Sequence, residues 1–227
     1  MALTAGMRTL IFLFFFCISS FLKANQRDTL FAKLNCSELS PVALNIALQA
    51  HERFYDTFHI KDTITIIDFS KTSDKKRLFV IDLKHQTMLF SEITTHGANS
   101  GLEKATNFSN RVNSYKSSLG CFKTAEYDIS KTHDTVLILD GLEWGINHNA
   151  RKREIVIHRS ELAKTIACQY CSYEYIDSLG YNGQSFGCPV LRREVYKDIM
   201  HAIAGGSMLF AYAEDEEYRR RTILKME

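Results

Sequence analysis

Proline is almost missing from this chain: Pro41 and Pro189 are the only two in 227 residues, and tryptophan occurs once. No Pro-, Gly- or Ser-rich linker and no internal repeat divides the sequence, so one domain is the economical reading. A surplus of either charge is also lacking, with 28 basic residues against 26 acidic ones. Removing an N-terminal leader, Met1 to Ala24, takes away Arg8 and Lys23 and no acid, leaving 26 against 26. Nucleic acid is therefore excluded as a partner, because phosphate binding is driven by clustered Lys and Arg. The one long apolar run, Thr9 to Leu22, has 14 residues, too few for a comfortable membrane span of about 18–20.

That run, preceded by Arg8, reads as a secretory signal. Ala24 is the expected last residue before cleavage, although Leu22 is larger than the small residue usually found two positions earlier. An uncleaved form stays open, and only then is the membrane a partner. The expected location is the periplasm or cell envelope, with three segments: a signal peptide at 1–24, one folded domain at 25–213 and a charged C-terminal tail at 214–227.

Five cysteines follow the signal: Cys36, Cys121, Cys168, Cys171 and Cys188. An odd number in an oxidising compartment leaves one thiol unpaired. If that thiol is Cys188, the other four allow three pairings, and spacing does not choose among them. Cys168-Gln-Tyr-Cys171 lacks the βαβ setting of a redox pair and the further ligands of a zinc site. A local disulfide or two unrelated thiols is the favoured reading, and neither metal nor cofactor is expected.

In chain order, Ser40-Pro41 reads as an N-cap and first helical residue. Ala43, Ile46, Ala47, Ala50 and Phe54 carry the apolar stripe of a helix to about Asp56. Thr63–Phe69 and Arg77–Leu83 read as a hairpin of strands, with a third strand at Thr87–Thr95. His96 to Gly120 is long, polar and aperiodic. Such a loop in a compact domain is usually functional or disordered, and Phe108 and Tyr115 are the residues expected to tether it. Val136–Leu139, Arg153–His158 and Met208–Tyr212 read as further strands. Leu191, Val195, Ile199 and Ala202 mark a helix that Gly205-Gly206 ends. The tail, with Arg219-Arg220-Arg221 after Glu214 to Glu217, reads as a solvated or frayed extension with no chemistry.

The chemistry-bearing stretch is Gly183-Gln184-Ser185-Phe186-Gly187-Cys188-Pro189. Pro189 suits the first position of a helix, which would make Cys188 its N-cap and place the thiol at the positive helix end, lowering its pKa. Gly183 and Gly187 are expected to leave main-chain N–H groups open beside the nucleophile for an oxyanion. His158, at the end of a short strand, is the expected base, since a Cys and a His distant in sequence and adjacent in space make a nucleophile pair. The bland alternatives are a buried structural cysteine and a hydrogen-bonded structural histidine.

With these residues stand Leu39-Ser40-Pro41, Ile67-Asp68-Phe69-Ser70, His96-Gly97, Phe108-Ser109-Asn110, Ser117-Ser118-Leu119-Gly120, Leu139-Asp140-Gly141-Leu142, Asn147-x-Asn149-Ala150 and Ile155-Val156-Ile157-His158. In that order, from about Leu39 to Tyr212, the chain resembles the L,D-transpeptidase catalytic domain family, in the branch whose motif ends Ser-x-Gly-Cys-Pro. The resemblance implies a β-rich α+β fold, an L,D-transpeptidase-like β-sandwich with an N-terminal helix and a helix after the nucleophile. It implies a murein L,D-transpeptidase in which Cys188 forms a thioester with a peptidoglycan stem peptide, His158 is the base, and N–H groups around Gly187 and Cys188 hold the oxyanion. By motif position Ser185, His96, Gly97, Asn110, Ser118 and Asn147 fall to substrate binding, and carbapenem-type inhibitors join stem peptides as partners. The alternatives are an L,D-carboxypeptidase or related hydrolase with the same site, and a peptidoglycan-binding module without turnover.

Two departures from the family pattern stand out. Phe186 replaces the second histidine that many members carry, so any orienting role it has must fall to another group or to main chain. The 29 residues between His158 and Cys188 exceed the number in many relatives and hold Cys168, Cys171, Tyr170, Tyr173 and Tyr175, expected either as a lid or as a surface excursion.

Overall fold

The computed structural model describes residues 26–131, 134–160 and 185–224. The expected leader, Gly183, and the Cys168–Cys171 segment with its tyrosines lie outside the described residues. The chain divides into two compact units, 1–36 and 37–227. In the first, residues 26–34 are helical. All elements labelled below belong to the second.

Helix α1 (Pro41–Phe58) begins where its sequence dictates. Ser40 Oγ accepts the Ala43 N–H at 3.3 Å, and Pro41 follows it as the first helical residue, where the missing N–H leaves no bond unmade. The helix ends at His59, which is left-handed (φ 52°) and returns its N–H to Tyr55 O, two residues past the expected end. Ala43, Leu44, Ile46, Ala47, Ala50 and Phe54 are buried, against strands β1 (Thr63–Asp68) and β8 (Met208–Tyr212).

The strands form one mixed ladder of eight, in the order β3 (Thr87–Glu92), β2 (Leu78–Asp82), β1, β8, β4 (Gly120–Ser130), β5 (Asp134–Gly141), β6 (Val156–Arg159) and β7 (Val190–Leu191). The β-rich α+β class is as expected. The β1–β2 hairpin pairs antiparallel, β1–β8 and β6–β7 pair parallel, and the remaining pairs are antiparallel. Every residue of β8, and all of β1 after Thr63, is buried. That is why β8, Met-Leu-Phe-Ala-Tyr, reads as an unbroken apolar run, while β1 buries Thr65 and Asp68 among its isoleucines. Among the described residues no helix is long and apolar enough to cross a membrane.

Four elements differ from the sequence reading. Strand β4 has no counterpart in it, because its second half, Glu126 to Ile129, is exposed and breaks the alternation that Phe122 and Thr124 begin. The strand expected at Arg153–His158 starts only at Val156. Arg151–Arg153 form a 3₁₀ turn that Glu154 closes at φ 55° by donating its N–H to Arg151 O.

The helix expected to start at Pro189 is displaced to α2 (Tyr196–Ile203). Val190 and Leu191 are fully buried and pair with His158 and Arg159, so strand capture wins over the helix start. Proline before a short edge strand removes no ladder bond. Finally, the tail is not a frayed extension. Asp215 caps helix α3 (Glu216–Arg221), and buried Tyr218 sends its hydroxyl to Glu143 Oε1 at 3.1 Å. Glu143, itself buried, also accepts from Cys121 N at 2.8 Å and from Thr222 Oγ1 at 2.6 Å. A buried carboxylate needs such donors, and the tail supplies two of the three.

Candidate active site

Residues 185–190 are held from one side by the segment that leaves β3. Ser185 N donates to His96 O (3.0 Å) and Ala98 N to Ser185 O (2.7 Å), forming a parallel bridge of Gly97 with Ser185. Thr95 Oγ1 donates to Cys188 O (3.1 Å) and accepts from Val190 N (3.2 Å). Ser185 Oγ donates to Cys188 O at 2.7 Å and accepts the Gly187 N–H at 3.1 Å. The Gly187 N–H is thus already used inside its own loop, unlike the open group expected there. Gly187 sits at φ +117°, where a Cβ would lie 2.7 Å from Lys116 O. Only glycine fits that conformation and that close approach. Gly97 has no room either, since a Cβ there would lie 2.4 Å from Tyr115 O.

The Cys188 thiol is half-buried and in no disulfide, and neither half-buried Cys36 nor buried Cys121 forms one. Pairings through Cys36 or Cys121 are therefore not formed. Cys188 Sγ donates to Glu154 O at 3.5 Å. Loss of solvent pushes its pKa up to about 11, opposed by the Val156 N–H and the Arg153 charge and assisted by Glu154. The lowered pKa expected from a helix N-terminus is absent because no helix begins there. At rest the group is a thiol, and reaction requires a base.

His158 lies on β6 beside Val190, two residues beyond Cys188, and is buried. Its Nδ1 lies 2.9 Å from Arg159 O. A carbonyl only accepts, so Nδ1 carries a proton and donates it to Arg159 O, which orients the ring. The parallel β6–β7 pairing thus brings the segments of Cys188 and His158 side by side.

The other expected site residues are distributed unevenly. His96 is fully buried; Arg77 Nη2 donates to its Nδ1 (2.9 Å), and its Nε2 donates to Gly101 O (3.0 Å). Burial first, and the Arg77 charge second, lower its pKa to about 4. It is a neutral pin for the loop. Folding therefore favours the uncharged ring, whose ordinary pKa is about 6.5. Stability is full above pH 6.5 and falls as pH drops toward 4, by roughly 3 kcal/mol in all. Urea titrations at pH 7 and pH 4.5 should show this loss, and His96→Gln should flatten it.

Asn147 is fully buried and spends its amide on main chain, accepting from Glu143 N and donating to Leu119 O and Cys121 O. Ser118 Oγ donates to Ser109 O at 2.8 Å. Asn110 alone of the six faces open space. It lines a groove of about 810 Å³ with Arg111, Lys116, Ile146, Tyr218 and Arg221, while its side chain holds His148 Nδ1 and Asn149 N. Phe186, 60% exposed, meets Tyr115 at a tilt with centroids 4.7 Å apart, and Phe108 meets Phe69. Both expected tethers of the long loop are therefore in place.

Sequence reasoning missed Arg153. Its guanidinium donates from Nη1 to Ser109 O (2.7 Å) and to Ser118 Oγ, and from Nη2 to Ser114 Oγ (3.2 Å) and Lys116 O (2.5 Å). It stands as a polar residue at the head of an expected strand, and only its nearness in sequence to His158 hinted at the site.

A half-buried thiol and an imidazole thus lie on adjacent segments, and Lys116, against Gly187, belongs to the wall of the groove. The family model that matches is that of the L,D-transpeptidase catalytic domain, over residues 35–212. The chain belongs to that family. None of the curated proteins matches it. Among solved structures it is similar to an L,D-transpeptidase from Mycobacterium smegmatis (12% identity, 67% of this chain and 59% of that one, TM-score 0.40). It is also similar to one from Stackebrandtia nassauensis (12%, 82% and 75%, 0.38) and to LdtMt1 in complex with imipenem (12%, 66% and 59%, 0.38). The chain thus spans about three-fifths of the first of these.

Proposed function

We propose that this chain is an exported, cysteine-dependent murein L,D-transpeptidase acting on peptidoglycan stem peptides. The observation that carries the reading is the β6–β7 pairing, with Cys188 ahead of β7 and His158 on β6, its ring oriented by the Nδ1–H bond to Arg159 O. The Cys188 S–H turns from Glu154 O to His158 Nε2, the sulfur attacks the carbonyl of the third stem residue, and the C–S bond forms as the proton passes to the imidazole. Collapse breaks the C–N bond, and His158 returns that proton to the departing terminal D-residue's amine. The amine of a second stem then attacks the thioester and restores the thiol. The Cys188 N–H, which has no acceptor among the described residues, is the donor for the oxyanion. The stem lies in the groove that starts at Lys116, next to Gly187, with Asn110 on its wall.

Incubation of the mature protein with a tetrapeptide stem, with and without an amine acceptor, tests this. Released D-residue together with a cross-linked product supports transfer; release without cross-link makes water the acceptor; neither removes the assignment. Export predicts a protein recovered from the cell envelope whose mass begins after Ala24.

A further inference from the structure

Arg153 is a half-buried cation whose hydrogen bonds all go to neutral oxygens: Ser109 O, Ser114 Oγ, Lys116 O and Ser118 Oγ. No carboxylate pairs with it among the described residues. This contrasts with Arg151, two residues earlier, which is bound by Glu126 and Asp140, and with Arg192, held by Glu92. A half-buried guanidinium held by neutral oxygens keeps its charge uncancelled, so it can act on a negative charge formed nearby. The nucleophile loop lies within its reach. Nη2 comes within 3.3 Å of the point a Gly187 Cβ would occupy, and Cys188 Sγ bonds to the carbonyl of Glu154, the next residue along.

We propose that Arg153 is the positioning residue that stabilises negative charge on Cys188 during acyl transfer, while its four hydrogen bonds fix the 109–118 wall against the nucleophile loop. The inference rests on the proposed nucleophilic role of Cys188. Burial of Arg153 pushes its own pKa down, and a charge on Cys188 opposes that. Among the described residues the charges that bear on the thiol are those of Arg153 and Glu154, both before β6, while His158 stands on the paired strand and Lys116 places its carbonyl against Gly187. Of these Glu154 acts against the thiolate and Arg153 in its favour. With Phe186 in place of a histidine, this arginine is the cation that acts on the sulfur among the described residues.

The test is the pH profile of Cys188 alkylation by iodoacetamide in full-length mature protein, located by peptide mapping. Arg153→Gln should move the profile up by about one pH unit and slow labelling at pH 8 about tenfold, since one pKa unit is tenfold in thiolate below the pKa. Arg153→Lys, which keeps the charge and loses the fork, should stay within about threefold of wild type. A purely structural arginine would lower both variants alike or shift neither profile, and either result overturns the proposal. If the Gln variant does not fold, the Lys variant decides alone, a tenfold loss counting against. The readout needs no stem peptide, so a wild type inert toward stems would sink the transpeptidase reading and leave the Arg153–Cys188 coupling to stand or fall separately.

Discussion

Cys188→Ala is expected to abolish thioester formation and to lower turnover of a tetrapeptide stem by about 10⁴-fold or more, the scale seen when a covalent nucleophile is removed. Stability should change by less than about 1 kcal/mol. The fold asks little of the sulfur, whose hydrogen bond is a weak S–H donation to Glu154 O at 3.5 Å. What holds the loop is main chain: Cys188 O accepts from Ser185 Oγ and Thr95 Oγ1, and Val190 N donates to Thr95 Oγ1. The alanine variant should therefore match the wild-type melting curve, and turnover that survived in it would rule out the nucleophile. His158→Ala should lose comparably, because the resting thiol, with its pKa near 11, has no other imidazole on the neighbouring strand to take its proton.

Asn147→Ala is expected to have the largest effect on stability, roughly 3–5 kcal/mol. Three buried main-chain groups, Glu143 N, Leu119 O and Cys121 O, lose their partner at once, and each unsatisfied group costs about 1–3 kcal/mol, partly relieved by relaxation. Relaxation is limited, because Gly120 and Gly141 pack directly on this residue; a Cβ on Gly141 would lie 1.9 Å from Asn147 O. At about 2–4 °C per kcal/mol for a chain of this size, the melting temperature should fall by about 10 °C. If Asn147 contacted substrate directly, the variant would show a raised KM at an unchanged melting temperature. The buried position argues for the thermal effect.

Much of this was legible in the residues. Ser40-Pro41 specified a helix start because an N-cap oxygen and a proline act through local geometry alone. The β1–β2 hairpin followed from two β-branched runs across a polar turn, and Cys188 and His158 stood out as an unpaired thiol and a histidine at a strand end. What escaped depended on distant partners. Nothing local says that Val190 and Leu191 will be captured by His158 and Arg159 before a helix can begin, and that pairing removes the helix dipole from the thiol. Tyr218 looks like one aromatic in a charged tail until Glu143, 75 residues away, is found to need its hydroxyl. His96, Ser118 and Asn147 occur at motif positions because the loop framework needs them, a requirement that sequence position does not distinguish from contact with a ligand.

The most direct test of the Cys188 assignment is the intact mass of the mature protein after incubation with a carbapenem such as imipenem, followed by peptide mapping. The expected result is one adduct per chain, on Cys188, absent from Cys188→Ala and strongly slowed in His158→Ala. An unmodified protein, or an adduct on Cys36 or Cys121 with Cys188 untouched, would contradict it.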